Sequence, residues 1–189
     1  MSFLGVDFPP ELCERFREIS CPGEKVGPDT YHITLLFLGK STPLPLLCKA
    51  VEAAAPAIYR TRPFEITARE VSYFPENPDD RSGHPIIAKI ESPELHQLRQ
   101  LLARSFDAGG VPYSKKFPDY RPHVTLSYSP TPHEQQLEEP IVGTVDSLTL
   151  WGGESYDGPL RVRFMLSKEP ALPSPIESLE AEVRSLLSS

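Results

Sequence analysis

Hydrophobic and polar residues alternate along much of this chain with the period of a β-strand, and stretches with helical spacing separate several of these runs. The alternation slips by one position near Arg69, which indicates a β-bulge inside one of the predicted strands. The predicted strands are 3–8, 31–38, 64–74, 85–91 and 123–128, followed by a closing hairpin of 143–151 and 160–166, divided at Gly152-Gly153 and Gly158-Pro159.

Apolar residues three and four apart predict three helices in the same part of the chain. The first opens at Pro9-Pro10 and turns Leu12, Phe16 and Ile19 inward. The second covers 44–55, turns Leu44, Leu47 and Val51 inward, and ends at Pro56. The third follows the N-cap Ser92, ends at Gly109-Gly110, and buries Leu95, Leu98, Leu102 and Phe106. Strands and helices follow one another irregularly, which favours an α+β fold over a uniform parallel sheet.

The last part of the chain does not continue this succession of predicted strands and helices. We expect one domain over 1–168, and a Pro-rich linker with a short amphipathic helix over 169–189. The apolar stripe of that helix comprises Ile176, Leu179, Val183 and Leu186. Docking on its own domain is the favoured interpretation, and binding to a partner protein is the alternative.

Composition narrows the class of protein. The 189 residues carry a net charge of −7, which argues against a protein that coats long duplex nucleic acid through a broad basic surface. A small local pocket for a nucleotide or short oligonucleotide suits that charge better. No apolar run approaches the length that crosses a membrane, and the N-terminal residues do not resemble a secretory signal. Cys13, Cys21 and Cys48 have no metal-like or redox-like spacing, so we expect reduced thiols in a cytoplasmic protein.

Two of the five histidines lie in matching segments, Tyr31-His32-Ile33-Thr34-Leu35 and Pro122-His123-Val124-Thr125-Leu126. Each segment lies in a predicted strand, where residues two apart point to the same face. Each strand would therefore present one imidazole and one hydroxyl together. An imidazole titrates near neutral pH, so one ring can accept a proton while the other donates one.

These segments resemble the two signatures of the 2H phosphoesterase superfamily, and most closely the branch of bacterial RNA 2',3'-cyclic phosphodiesterases, also called 2'-5' RNA ligases. The first signature is similar to His32-Ile33-Thr34-Leu35-Leu36-Phe37-Leu38-Gly39, and the second to Arg121-Pro122-His123-Val124-Thr125-Leu126. Residues 3–12 resemble the first strand and helix of the family, and 147–164 its closing strands. The resemblance thus covers about residues 1–168.

The resemblance implies two pseudo-symmetric α+β lobes whose antiparallel sheets flank a central catalytic groove. It implies that His32 and His123 act as general acid and base, and that Thr34 and Thr125 hydrogen-bond the phosphate oxygens. The residues themselves do not show which ring is the acid, and analogy with the family favours His123 as the base. Hydrolysis of a strained cyclic phosphate needs no ATP, and we expect no cofactor. A metal site at the two histidines is disfavoured, because their strand neighbours are hydroxyls rather than carboxylates.

Four further residues are candidates for binding substrate. Lys116 and Tyr120 lie in a loop that interleaves cations with aromatic rings, although such lysines also occur as solvated surface residues. Phe74 lies at the base of the Pro-rich loop 75–83, which is either a lid or an ordinary surface loop. Trp151 is interpreted as a core or lobe-interface residue, with stacking on a base as the alternative.

The predicted function is a metal-independent, monomeric phosphoesterase acting on nucleotide 2',3'-cyclic phosphates or 2'-linked phosphodiesters. One alternative is a phage-type nuclease that degrades cyclic oligonucleotide immune signals with the same site. The other is a nucleotide-binding module without catalysis, which the presence of both histidines and both threonines argues against.

Overall fold

The computed structural model describes residues 1–76, 83–116, 118–155 and 158–167, with the backbone alone for 153–155 and 158–160. The predicted linker and tail helix over 169–189 lie outside the described residues, as does most of the loop 75–83. The helices are α1 (Pro10–Glu18), α2 (Leu44–Arg60) and α3 (Pro93–Ala108). The strands are β1 (Ser2–Asp7), β2 (Glu24–Lys25), β3 (His32–Gly39), β4 (Phe64–Tyr73), β5 (His84–Glu91), β6 (His123–Ser129), β7 (Gln135–Val145), β8 (Ser147–Ser155) and β9 (Gly158–Met165).

The strands form two antiparallel sheets. The first sheet has the order β3-β1-β8-β9, and the second has the order β2-β6-β5-β4-β7. The strands that carry the two histidine motifs, β3 and β6, belong to different sheets and contact each other. We call the line along which β3 and β6 meet the seam. This arrangement confirms the α+β fold with two antiparallel lobes.

Helices cross between the two halves. Helix α1 follows a strand of the first sheet and contacts β7 of the second, whereas α3 follows a strand of the second sheet and contacts β3 of the first. Helix α3 begins as the sequence predicts, with the Ser92 hydroxyl accepting a hydrogen bond from the backbone N–H of Leu95 at 3.4 Å. Apolar residues from both sheets, such as Ile33 and Ala88, belong to a single hydrophobic cluster. The two motif strands therefore share one core.

The structure of helix α2 differs from the sequence prediction at Leu44 and at Pro56. Leu44, expected to face inward, is 63% exposed, and Pro56, expected to end the helix, lies inside it. Pro56 is on the exposed face, where water can bond the carbonyl that loses its partner. The next turn buries Ala57 and Ile58, and this burial offsets the cost of the proline.

The predicted strand 143–151 is also wrong, because the chain passes from the second sheet to the first within it. Strand β7 ends at Val145 and pairs with β4, whereas β8 begins at Ser147 and pairs with β1. Asp146 stands between them, and its carbonyl accepts a hydrogen bond from Leu166 at 2.8 Å. Gly152-Gly153 lies inside β8 rather than at its end. The predicted bulge near Arg69 is confirmed, since the register of β4 shifts between Ala68 and Glu70.

Candidate active site

The two motifs adopt the same alternation along β3 and β6. Their central residues, Ile33 and Val124, are completely buried at 0% exposure, whereas the histidine and threonine on either side of each are half-buried. In an extended strand this pattern turns both polar side chains to one face and the apolar residue to the core. Strands β3 and β6 contact each other, so the two motifs lie on adjoining strands at the seam.

Each imidazole is held through the same ring nitrogen. Nδ1 of His32 lies 2.6 Å from the carbonyl oxygen of Thr30, and Nδ1 of His123 lies 2.7 Å from that of Arg121. A carbonyl oxygen can only accept a hydrogen bond, so Nδ1 carries the hydrogen in both rings. Nε2 is then the atom left to exchange a proton with a substrate. Both histidines bond the carbonyl two positions earlier, which makes the two halves of the site equivalent in local geometry.

The surroundings favour the neutral form of both rings in the free protein. Burial lowers the pKa of His32, and the cationic Arg161 adds to that effect, while the Thr30 carbonyl and the Asp7 carboxylate act in the opposite direction. Burial also lowers the pKa of His123, with a further contribution from the charge of His32 and opposition from the Arg121 carbonyl. The effect of His32 on His123 means that the two rings are close enough for their charges to interact.

His32 rests against a row of aromatic rings from the first sheet. The Phe3 ring stacks on it with centroids 4.4 Å apart and an interplanar angle of 26°. Trp151 stacks on Phe3 at 5.1 Å and also contacts His32 directly, with ring centroids 5.5 Å apart and an interplanar angle of 42°. The Arg161 guanidinium lies 3.8 Å from the Trp151 ring centroid. The Trp151 Nε1–H donates a hydrogen bond to Asp7 Oδ1 at 2.9 Å. Trp151 is therefore part of the wall behind His32, with neighbours from both adjacent strands.

His123 contacts an aromatic ring from the second sheet. Phe74 meets it edge-on, with centroids 4.8 Å apart and an interplanar angle of 83°. The Phe74 carbonyl oxygen lies 3.1 Å from Nδ1 of His84, and its N–H donates to the Pro85 carbonyl at 3.0 Å. Phe74 is thus fixed at the end of β4, on the side of the seam opposite the stack at His32.

The family model of the 2'-5' RNA ligase superfamily matches residues 8–157 of the chain. The chain belongs to the 2'-5' RNA ligase superfamily. A protein of Thermus thermophilus is 23% identical with a TM-score of 0.64, and its structure covers 88% of this chain and 98% of its own. E. coli LigT complexed with 3'-AMP is 21% identical with a TM-score of 0.66 and the same coverage. These similarities show the superfamily's fold. None of the curated proteins matches the chain.

Tyr120 and Lys116, the two loop residues that the sequence singled out, lie in different surroundings in the structure. The Tyr120 ring lies against α3, with its centroid 5.3 Å from that of His96 and 4.9 Å from the guanidinium carbon of Arg99. Burial raises the pKa of the Tyr120 hydroxyl, which has no hydrogen-bond partner among the described residues. Lys116 is exposed. Both contacts of Tyr120 are with α3, so its role in binding substrate stays a prediction, as does that of Lys116.

Sequence reasoning missed three residues beside His32, namely Phe3, Asp7 and Arg161. Asp7 is the cross-strand partner of His32, and Arg161 is the partner of Trp151. A signal for Phe3 and Asp7 was present, because they are four residues apart in a predicted strand and so share one face, opposite to Leu4 and Val6 of the hydrophobic cluster. The sequence does not reveal which strands pair, so it could not assign that face to His32.

Two clefts lie next to residues that adjoin the motifs, and the lining of neither includes His32, Thr34, His123 or Thr125. One, of about 330 Å³, is lined by Asp7, Tyr31 and Arg161 among others. The other, of about 540 Å³, is lined by Phe74, Tyr120 and Arg121 among others. Across the described parts of the chain, no three His, Cys, Asp or Glu side chains are grouped so as to hold a metal ion. The described helices include none that is both long and apolar enough to cross a membrane.

Proposed function

We propose that this superfamily member is a metal-independent phosphoesterase that hydrolyses nucleotide 2',3'-cyclic phosphates or 2'-linked phosphodiesters. The observation that carries the proposal is the pair of imidazoles at the seam, each with Nδ1 occupied by a backbone carbonyl. Two rings fixed in this way differ from structural histidines, because each keeps Nε2 available beside a hydroxyl on its own strand.

In the proposed reaction, the neutral His123 takes a proton from water through Nε2. The activated water attacks phosphorus, and the bond to the ribose oxygen breaks. The protonated His32 delivers its Nε2 proton to that departing oxygen. The Asp7 carboxylate supports these roles, because it raises the pKa of His32 against the opposing effect of Arg161, whereas the charge of His32 lowers the pKa of His123. Each proton transfer contributes about 10²–10⁴-fold to the rate.

Thr34 and Thr125 would donate hydrogen bonds to the non-bridging phosphate oxygens. Both hydroxyls lie on the same strand face as the neighbouring imidazole. Hydroxyl donors and an imidazolium together can stabilise the charge that develops on the phosphoryl group. The bound phosphate is itself anionic and favours the protonated form of a nearby imidazole. Substrate binding would therefore promote the protonated state that the free protein disfavours.

A nucleotide substrate suits this site for two reasons. The net charge of −7 is unfavourable for a broad polyanion surface, so recognition should be confined to the seam. In addition, the structurally similar LigT of E. coli has been observed in complexes with 3'-AMP, ATP and NADP+. We transfer the nucleotide class from that protein to this one, and not a particular base.

The experiment is turnover in EDTA with three substrate panels: 2',3'-cyclic mononucleotides, 2'-5'-linked oligonucleotides, and cyclic di- and trinucleotides. Product from the first or second panel supports the proposal, and product from the third alone supports the cyclic-oligonucleotide nuclease. Loss of turnover in EDTA would refute the metal-independent mechanism. His133→Ala is the matched control for His32→Ala, because His133 contacts Gln135 outside the motifs and its removal should leave the rate unchanged.

A further inference from the structure

Cross-strand pairing places Phe3, Trp151 and Arg161 in one row across the first sheet. Phe3 of β1 pairs with Trp151 of β8, which pairs with Arg161 of β9. Side chains paired in this way lie on the same face of the sheet. The two rings and the guanidinium are stacked along the row, so the Trp151 ring has a neighbour on each side.

Gly5 is the residue that lets this row reach His32. His32 pairs with Asp7 and not with Phe3, so the Phe3 ring must extend along β1 to touch the imidazole. It does so over Gly5, since a Cβ built on Gly5 would lie 3.2 Å from two carbon atoms of that ring. The Phe3 ring therefore takes the place of a Gly5 side chain and supports one face of His32.

Asp7 is adjacent to both His32 and Trp151. It is the direct cross-strand neighbour of His32 on the same face, and its Oδ1 accepts the hydrogen bond from Trp151 Nε1 at 2.9 Å. That bond fixes the plane of the indole against Phe3. The carboxylate thus restrains the Trp151 ring, which contacts both Phe3 and the His32 imidazole. Asp7 is also the cross-strand partner of His32.

The charges that face His32 come from three strands: Asp7 on β1, Arg161 on β9 and His123 on β6. Asp7 is the anion of this set, and it favours the protonated ring. Arg161 lowers the pKa of His32 and so favours the neutral ring, and the charge of His32 in turn lowers the pKa of His123. Among the described residues, no carboxylate shifts the pKa of His123. The two otherwise equivalent halves of the site therefore differ in two charged side chains of opposite sign, Asp7 and Arg161, and Asp7 is the one that favours the protonated His32.

The geometry points to Asp7 as a positioning residue that fixes the aromatic row behind His32 and makes His32 the proton donor of the pair. This inference rests on the proposed function, because a donor role has meaning only if both histidines act on one phosphate. Asp7 accepts its side-chain hydrogen bond from Trp151. It acts through Trp151 and Phe3 on the ring orientation, and through its charge on the ring's protonation.

Two substitutions separate these effects. Asp7→Asn removes the charge but keeps an oxygen that can accept the Trp151 hydrogen bond. Trp151→Phe keeps an aromatic ring in the row but removes the Nε1–H that donates to Asp7. The hydrogen bond is lost while the charge of Asp7 stays. Asp29→Asn is the matched control, because Asp29 lines the same cleft as Asp7 but belongs to the turn Pro28–Thr30 and not to the row.

The experiment is an NMR titration of the imidazole protons together with the pH profile of kcat/KM. In Asp7→Asn, we expect the pKa of His32 to fall and that of His123 to change little, with the limb of the profile due to the acid moving to lower pH. In Trp151→Phe, we expect kcat to fall by about 10-fold or more with a small change in KM, because a misplaced catalytic group loses rate. Asp29→Asn should reproduce the wild-type titration.

An unchanged His32 titration in Asp7→Asn would overturn the assignment of Asp7, as would an equal shift in Asp29→Asn. Wild-type kcat in Trp151→Phe would overturn the claim that the hydrogen bond between Trp151 and Asp7 helps to position His32. Failure of the proposed function has a different signature, namely wild-type turnover in His32→Ala. The titration does not depend on turnover, so the two failures are distinguishable.

Discussion

Replacing Gly5 with alanine tests whether the contact between β1 and β3 holds the candidate site in place. A Cβ at this position would lie less than 3.0 Å from the backbone carbonyl oxygen of Ile33, and it would also press on the Phe3 ring at 3.2 Å. Neither obstacle is the flexible end of a long side chain. The strands must separate, or the Phe3 ring must leave His32, and Ile33 lies between the two polar residues of the first motif.

The expected cost follows from this overlap. Overpacking of this kind costs about 1–3 kcal/mol, and the lower chain entropy of unfolded alanine returns roughly 0.4–1 kcal/mol. A net loss of about 1–2 kcal/mol lowers Tm by roughly 2–8 °C in a chain of this size. A shift of the motif strand should also lower kcat/KM by about 10–100-fold.

The assay combines thermal unfolding with kcat/KM for a 2',3'-cyclic nucleotide. Gly143→Ala is the control, because its Cβ would meet only the side chain of Leu12, which can rotate away, at a site in β7. That variant should lose stability but keep its activity. Wild-type Tm and wild-type kcat/KM in Gly5→Ala would refute the reasoning, and so would an equal loss of activity in the control.

Three further predictions follow from the described contacts. Burial lowers the pKa of both candidate histidines, so the protonated form is lost at a lower pH than for an exposed histidine. The pH profile of kcat/KM should therefore peak below about pH 6.5. A maximum above about pH 7.5 would contradict this expectation. Thr34→Val and Thr125→Val keep the side-chain volume but remove a donor, and each should lower kcat by about 100-fold in steady-state assays; unchanged kcat would remove that hydroxyl from the site. Ser92→Ala removes the N-cap of α3 and should cost about 1 kcal/mol by denaturant unfolding with activity unchanged, and an unaltered midpoint would show that the cap is not needed.

The sequence predicted those parts of the fold that depend on local pattern. The strand face of each motif follows from alternation alone, and the structure shows the same alternation of buried and half-buried residues. The start of α3 at Ser92 and Pro93 also follows from local chemistry, because a hydroxyl and a proline at these positions satisfy or remove unpaired N–H groups.

Features that depend on strand partners could not be predicted. The apolar positions change phase around Asp146, from Ile141 and Val145 to Leu148 and Leu150, but a change of phase alone does not show that the chain leaves one sheet for the other. Pro56 signals a helix end locally, but the burial of Ala57 and Ile58 decides the outcome. The neighbours of His32 depend on the pairing of β1 with β3 and β8, which no local pattern encodes.

The candidate site was predictable in its parts and not in its assembly. The two motifs identify His32 and His123 from sequence, and their hydrogen bonds to the carbonyls two residues earlier repeat that likeness in space. The difference between the two halves, which comes from Asp7 and the aromatic row, requires the register of three strands. Residue types therefore indicate acid–base chemistry, and strand pairing determines which charged and aromatic side chains surround each imidazole.

The most direct test of a shared two-histidine site is a double-mutant cycle on turnover. His32→Ala, His123→Ala and the double variant are compared with the wild type by kcat for a 2',3'-cyclic nucleotide, with folding checked by circular dichroism. If both rings serve one phosphorus, each single variant should lose at least about 100-fold, and the double variant should lose far less than the product of the two losses. Near-wild-type turnover in either single variant, or losses that multiply fully in the double variant, would contradict the account.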